Sequence, residues 1–126
     1  MSIVGIGLDA TEIARIDDAL RTYGERFMRR VFTDGEIEYC TRRRFAAPHF
    51  AGRWAAKEAA MKALGTGHGR GVLWKDIEVV RRGGPPQLHL HGGAAQHAAR
   101  LGVSRILVTI THCQTLAIAQ VMLQAD

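Results

Sequence analysis

Apolar residues in this chain first form a short run, then recur at helical spacing, and finally return in two long strand-like runs. The stretch 2–8, "SIVGIGL", is short and apolar, with glycines at 5 and 7, and predicts a strand that ends in a tight place. Thr11 is placed to cap a following helix, in which Ile13, Ile16, Leu20, Tyr23 and Phe27 form a buried stripe. Arg15 points away from that stripe, and Gly24 breaks or bends the helix. Thr33 with Glu36 three residues later is a capping-box pattern, so a short helix is expected to about Arg44. Pro48 then sits in the first turn of the longest helix, where a missing N–H costs least. This helix runs to about Leu64 and ends at Gly65 and Gly67. From Val72 the period changes to that of a strand, "VLWKDIEVVRR". "RGGPP" turns it into a second strand over 87–91, giving a hairpin. A short helix, "AAQHAARLG", precedes two strong strands, "SRILVTITH" and "LAIAQVML", expected to pair antiparallel. The order of elements predicts an α+β fold, an antiparallel sheet with helices packed on one face, forming one domain over 1–126.

Composition narrows the class. At 126 residues, 47% of them hydrophobic and 23% charged, the chain is of ordinary globular composition. Few aromatics are present, so Ala, Ile, Leu and Val must build the core. The formal net charge of +5 favours an acidic partner: a nucleic acid, a phosphorylated small molecule or an acidic protein. The N-terminus has no leader pattern and no run reaches the length of a membrane span, so a cytoplasmic protein without membrane contact is expected. Cys40 and Cys113 lack metal-ligand spacing and read as buried or idle thiols.

The chemistry concentrates on the long helix. At 100° per residue, Phe50, Trp54, Met61 and Leu64 form a bulky arc, and Ala51, Ala55 and Ala59 a small-residue arc suited to close approach. Glu58 and Lys62 share a face between the arcs. Lys57 falls inside the bulky arc, where an ammonium is costly to bury, so that arc is expected to border a cleft or a subunit interface, unless Lys57 snorkels outward. A carboxylate beside two ammonium groups can hold a divalent cation while the lysines take phosphates bound to it. Glu58 is one such carboxylate. Asp9, just past the first strand, is the natural second, with Glu12 as a substitute. Surface ion pairing at Glu58–Lys62 and a helix-start charge at Asp9 are the plainer alternatives. The glycines of "GTG" cap the helix and can also let a phosphate lie close to backbone N–H groups. Neither a Walker A loop nor a Rossmann fingerprint is present. His89 and His91 share a strand face, read as solvated. His112, at a strand end, is a candidate for phosphate contact or proton shuttling.

The stretches "GIGLDATEIARI" (5–16), "FAGRWAAKEAAMKALGTG" (50–67), "DIEVV…GGPPQLHLHGGA" (76–94) and "VTITH" with "LAIAQV" (108–121) together resemble the holo-[acyl-carrier-protein] synthase family, the small 4′-phosphopantetheinyl transferases. The resemblance covers nearly the whole chain in order. It implies a transferase of lipid metabolism and fatty-acid biosynthesis, which moves the phosphopantetheine arm of coenzyme A to a serine of apo acyl carrier protein and releases adenosine 3′,5′-bisphosphate. It implies magnesium held by Asp9 and Glu58, with Glu58, Lys62 and Asp9 as the catalytic set. Arg53, Lys57, Lys62, Gly65, Gly67 and His112 become coenzyme A contacts, Lys57 serving either a phosphate or the support of Glu58. Arg15 on the basic first helix becomes a docking residue for the carrier protein, with Arg21, Arg26 and Arg44 as further candidates by charge alone. It further implies a homotrimer with intersubunit active sites, which would place the arc of Lys57 on an intersubunit cavity. Cys113 departs from the family, which often has an acid after the histidine. A basic RNA-binding protein or a non-catalytic coenzyme A-binding module are the alternatives from charge and ligand chemistry. The chain lacks the exposed aromatic pattern of an RNA-binding sheet.

Overall fold

The first strand is longer than its apolar run. In the computed structural model, which describes residues 1–126, β1 spans Ser2–Glu12 and carries Thr11 within it. Thr11 therefore does not cap the next helix; Glu12 occupies the cap position, without a side-chain capping bond. The physical reason is pairing: β1 stays in antiparallel register with the last strand as far as Glu12↔Leu116. The helices α1 (Ile13–Tyr23) and α2 (Glu25–Val31) are divided at Gly24, whose φ of 55° ends the first of them. Ile13 and Ile16 are buried as the stripe predicts, but Tyr23 is exposed at the break.

The capping box of α3 (Asp34–Thr41) forms as expected. Thr33 Oγ1 accepts from Glu36 N at 3.2 Å, and Thr33 N donates to Glu36 Oε1 at 3.0 Å. The central helix α4 spans Ala46–Leu64 and stops at Gly65, which takes the left-handed conformation at φ 79°. A 3-10 turn (Trp74–Asp76) replaces the start of the predicted long strand, leaving β2 at Ile77–Val80, paired with β3 at Gln87–Leu90. After α5 (Gly92–Arg100), β4 (Val103–His112) and β5 (Leu116–Ala125) complete a three-stranded antiparallel sheet in the order β1-β5-β4.

Helix α4 lies against one face of this sheet, and the backbones nearly touch. A Cβ on Gly7 would fall 1.8 Å from the Ala59 carbonyl oxygen, and one on Gly5 2.1 Å from that of Ala63. Glycine on the strand and alanine on the helix thus set the layer spacing. Along β5, Ala117, Ala119, Val121 and Leu123 are buried under α4, while the alternate residues face the other way and are half-exposed. That second face is open, and Ile6 and Leu8 on it are each 57% exposed. No helix is long and apolar enough to cross a membrane.

Candidate active site

Two residues after Gly7, on the same face of β1, comes Asp9. The close approach of α4 therefore brings its short side chain to the helix. Lys62 Nζ donates to Leu8 O at 2.9 Å and to Asp9 Oδ1 at 3.2 Å. Thr11 Oγ1 donates to Asp9 Oδ2 at 2.6 Å, so both carboxylate oxygens are held in place. Glu58, one turn before Lys62, is half-buried beside them. Burial pushes its carboxyl above the usual range, and the negative charge of Asp9 adds to that push; Lys62, Arg15 and His68 work against it. One strand and one helix thus bring Lys62 into contact with Asp9 and place Glu58 within reach of the charges of both.

One turn before Glu58 on α4, Trp54 opens an aromatic stack. Trp54 and Trp74 stack at 4.4 Å between ring centroids, His68 stacks on the far side of Trp74 at 4.6 Å, and the Arg15 guanidinium lies 5.9 Å from the Trp54 ring. Arg15 and Arg21 are exposed on α1, and Arg21 pairs with Asp17 at 2.9 Å.

Lys57 does not face a cleft. It is fully buried within the protomer, and its ammonium donates to Glu36 Oε1 at 2.7 Å, to Trp74 O at 3.1 Å and to Ile77 O. An ammonium has three donors, and all three are engaged, so none is left for a phosphate. Burial draws its pKa below the usual lysine range, with Glu36 opposing. The expectations that Lys57 lines an intersubunit cavity, touches coenzyme A, or snorkels outward are all corrected by this pairing. Sequence reading missed it because Glu36 was legible only as a capping-box residue, and a capping glutamate is ordinarily exposed.

The glycine loop is also corrected in one respect. Gly65 N donates to Lys62 O and Gly67 N to Met61 O, so these N–H groups finish the helix rather than await a phosphate. What the two glycines provide is open space: no atom lies within 4 Å of a Cβ built on either.

A second, cationic cluster forms at the other end of α4. His112, at the end of β4, approaches His49 with ring centroids 6.0 Å apart. The Tyr39 ring lies 4.0 Å from both the Arg43 and the Arg53 guanidinium carbons. Arg53 is buried, and its Nε and Nη2 have no hydrogen-bond partner. Burial lowers the His49 pKa, and the positive charges of Arg53, His112, Arg43 and Arg81 lower it further. Cations crowded to this degree are suited to an anion. Sequence reading named Arg53 and His112 but not Tyr39, Arg43 or His49, which only the fold brings together. Of the remaining candidates, His91 is taken by Glu78, 2.9 Å from its carboxylate, and so does not act with His89. Cys40 is buried and its thiol pushed up to about 12, whereas Cys113 is exposed next to His112.

The 4′-phosphopantetheinyl transferase superfamily model matches residues 5–121. The chain is 47% identical over 123 residues to the holo-[acyl-carrier-protein] synthase of Solibacter usitatus, spanning 97% of this chain and 98% of that protein. Its structure is similar to a holo-(acyl-carrier-protein) synthase from Bacillus anthracis in complex with CoA (3′,5′-ADP). That match has a TM-score of 0.81 and 35% identity and covers 98% of each chain. It is also similar to the holo-[acyl-carrier-protein] synthase of Neisseria meningitidis, with a TM-score of 0.88 and 28% identity over 98% of this chain and 99% of that one. Charge alone left an RNA-binding role open; these likenesses, of sequence and fold together, replace it. The chain belongs to the 4′-phosphopantetheinyl transferase superfamily.

Proposed function

We propose that this chain transfers the 4′-phosphopantetheine arm of coenzyme A to a seryl hydroxyl of apo acyl carrier protein, with Asp9, Glu58 and Lys62 at the reacting phosphates. The observation that carries the assignment is that Asp9 and Glu58, 49 positions apart in sequence, lie close enough for their charges to act on each other, with Lys62 in contact with Asp9. In the reaction, the seryl Oγ–P bond forms at the phosphorus bearing the pantetheine arm. The bond from that phosphorus to the bridging oxygen breaks, and adenosine 3′,5′-bisphosphate leaves.

The donor set fits magnesium. It offers two carboxylates and no third acid, histidine or cysteine, and a hard cation of this size is usually held by one or two carboxylates plus substrate phosphates and water. Burial raises Glu58 most and the charge of Asp9 adds to it; a cation held by the two acids would relieve the second of these. When bound by Asp9 and Glu58, the ion supplies charge neutralisation on the pyrophosphate. Lys62, 52% exposed at its side chain, is free to turn from Asp9 to the leaving phosphate oxygen. Glu58 is the carboxylate we assign to accept the proton of the attacking seryl Oγ.

The cationic cluster of Arg53, Arg43, His49 and His112 is suited to the other anionic end of coenzyme A, its 3′-phosphate. The two clusters occupy opposite ends of α4. A site drawing Asp9 and Glu58 from one protomer and His112 from a neighbour would join them. The open sheet face, with Ile6 and Leu8 exposed, supports assembly of this kind, and we assign it to a homotrimer. Arg15, beside Glu58, and Arg21, on the same helix, are placed to meet the acidic surface of the carrier protein, in a cytoplasmic setting.

The test is direct. Incubation with coenzyme A, Mg²⁺ and apo acyl carrier protein is expected to raise the carrier's mass by one phosphopantetheine arm, and Glu58→Ala to abolish the gain. An unmodified carrier with the intact protein, or normal transfer by Glu58→Ala, would overturn the assignment.

A further inference from the structure

The costliest charges to bury in this molecule take no direct part in the chemistry above. Lys57 and Glu36 are both fully buried and meet at 2.7 Å. Glu36 accepts from Lys57 Nζ and Thr33 N on Oε1 and from Val79 N on Oε2. Lys57 also holds the carbonyls of Trp74 and Ile77. One ammonium therefore joins α4 to α3, to the 3-10 turn and to β2.

Buried ion pairs add little stability over apolar residues of the same volume. What they supply is direction, because a hydrogen bond fixes an angle and an apolar contact does not. The opposite side of α4 supplies less of it. Toward β1 the helix presents Ala59 and Ala63 against glycines, a smooth contact that sets distance, and the directed bonds there come from Lys62, whose exposed ammonium reaches Leu8 O and Asp9 in competition with water. Glu58 follows Lys57 by one residue, about 100° around the axis. At roughly 6 Å from that axis, a rotation of about 10° displaces a side-chain tip by about 1 Å. The Trp74 carbonyl that Lys57 holds belongs to the residue whose ring stacks on Trp54 and His68, so the same ammonium also seats the aromatic stack that begins one turn from Glu58.

We propose that the Lys57–Glu36 pair is a positioning device: it fixes the rotation of α4 and the seat of Trp74, and so holds Glu58 at the separation from Asp9 that a divalent cation requires. The inference rests on the cation site proposed above.

Lys57→Met alone strands a buried carboxylate and is expected to unfold readily, so the informative variant is Glu36→Gln/Lys57→Met, which removes both charges and keeps both volumes. Its folding is followed by circular dichroism and its Mg²⁺ affinity by calorimetric titration in the presence of coenzyme A, alongside Glu58→Gln. The expected result is a folded double variant with Mg²⁺ binding weakened about tenfold, kcat lowered, and KM for the carrier protein unchanged. Wild-type Mg²⁺ affinity and kcat in the folded double variant would show the pair to be structural only and overturn the inference while leaving the active site in place. Unchanged Mg²⁺ binding by Glu58→Gln would instead remove the cation site itself, and the positioning role with it.

Discussion

Helix α4 carries two lysine–carboxylate pairs, five residues apart, that differ in almost everything except chemistry. Lys57–Glu36 has both side chains fully buried, a 2.7 Å contact, and every donor engaged. Lys62–Asp9 has a lysine side chain 52% exposed, a 3.2 Å contact, and access to solvent. In the interior, an ammonium must be satisfied by protein atoms and becomes a fixed joint. At the rim, water competes for the same ammonium, and the pair can open for a ligand at little cost. Burial, rather than residue type, separates the lysine that holds the fold from the one we propose for the substrate phosphates.

The sharpest way to break the comparison is to remove one lysine at a time. Lys57→Met leaves Glu36 charged, dry and unpaired, and is expected to lower stability by about 3–5 kcal/mol, read from urea or thermal unfolding. A loss no larger than that of a surface ion pair would mean the interior pair is not what the geometry indicates. Lys62→Met is expected to change stability by less than about 1 kcal/mol. It should cut turnover about 100-fold, as loss of one charge-stabilising donor does. Near-normal kcat with weakened carrier binding would move Lys62 from the phosphates to the docking surface.

A smaller effect sharpens the contrast at the site itself. Glu58 titrates above the usual glutamate range, because burial and then the charge of Asp9 disfavour its anion. The folded state thus holds that proton more tightly than the unfolded chain. Stability is lost as pH rises from the ordinary glutamate value through the raised one. Glu58→Gln is expected to raise Tm modestly at neutral pH and to leave it unchanged below the ordinary glutamate value. Saturating Mg²⁺ should raise the Tm of the wild type and narrow the difference. A Tm lowered by Glu58→Gln at neutral pH would contradict the strain assigned to this carboxylate.

The order of elements was legible because each long element announces itself: glycine ends α4, the Thr33–Glu36 box opens α3, and two apolar runs make β4 and β5. The contact of Asp9 with Lys62 was legible too, since the glycines before Asp9 and the alanines of α4 each imply close approach. Thr11 was misplaced because β1 continues through polar residues, held by β5 and not by its own hydrophobicity. Lys57 was misplaced because its partner, Glu36, lies on another helix and carries a local signature that explains it without a long-range contact. Tyr39 and His49 left no signal, and Arg43 showed only within the arginine run 42–44, which reads as a solvated face; the three meet only when α3, α4 and β4 are assembled.

The contact of Gly5 and Gly7 with the carbonyls of Ala59 and Ala63 has a consequence for how the acids keep their spacing. Main-chain atoms, not side-chain rotamers, act as the gauge block between strand and helix. The larger residues on the far side of α4 can therefore be exchanged among shapes of similar volume without altering that gap. A single methyl group added at Gly7 would wedge open the one dimension on which the two carboxylates depend.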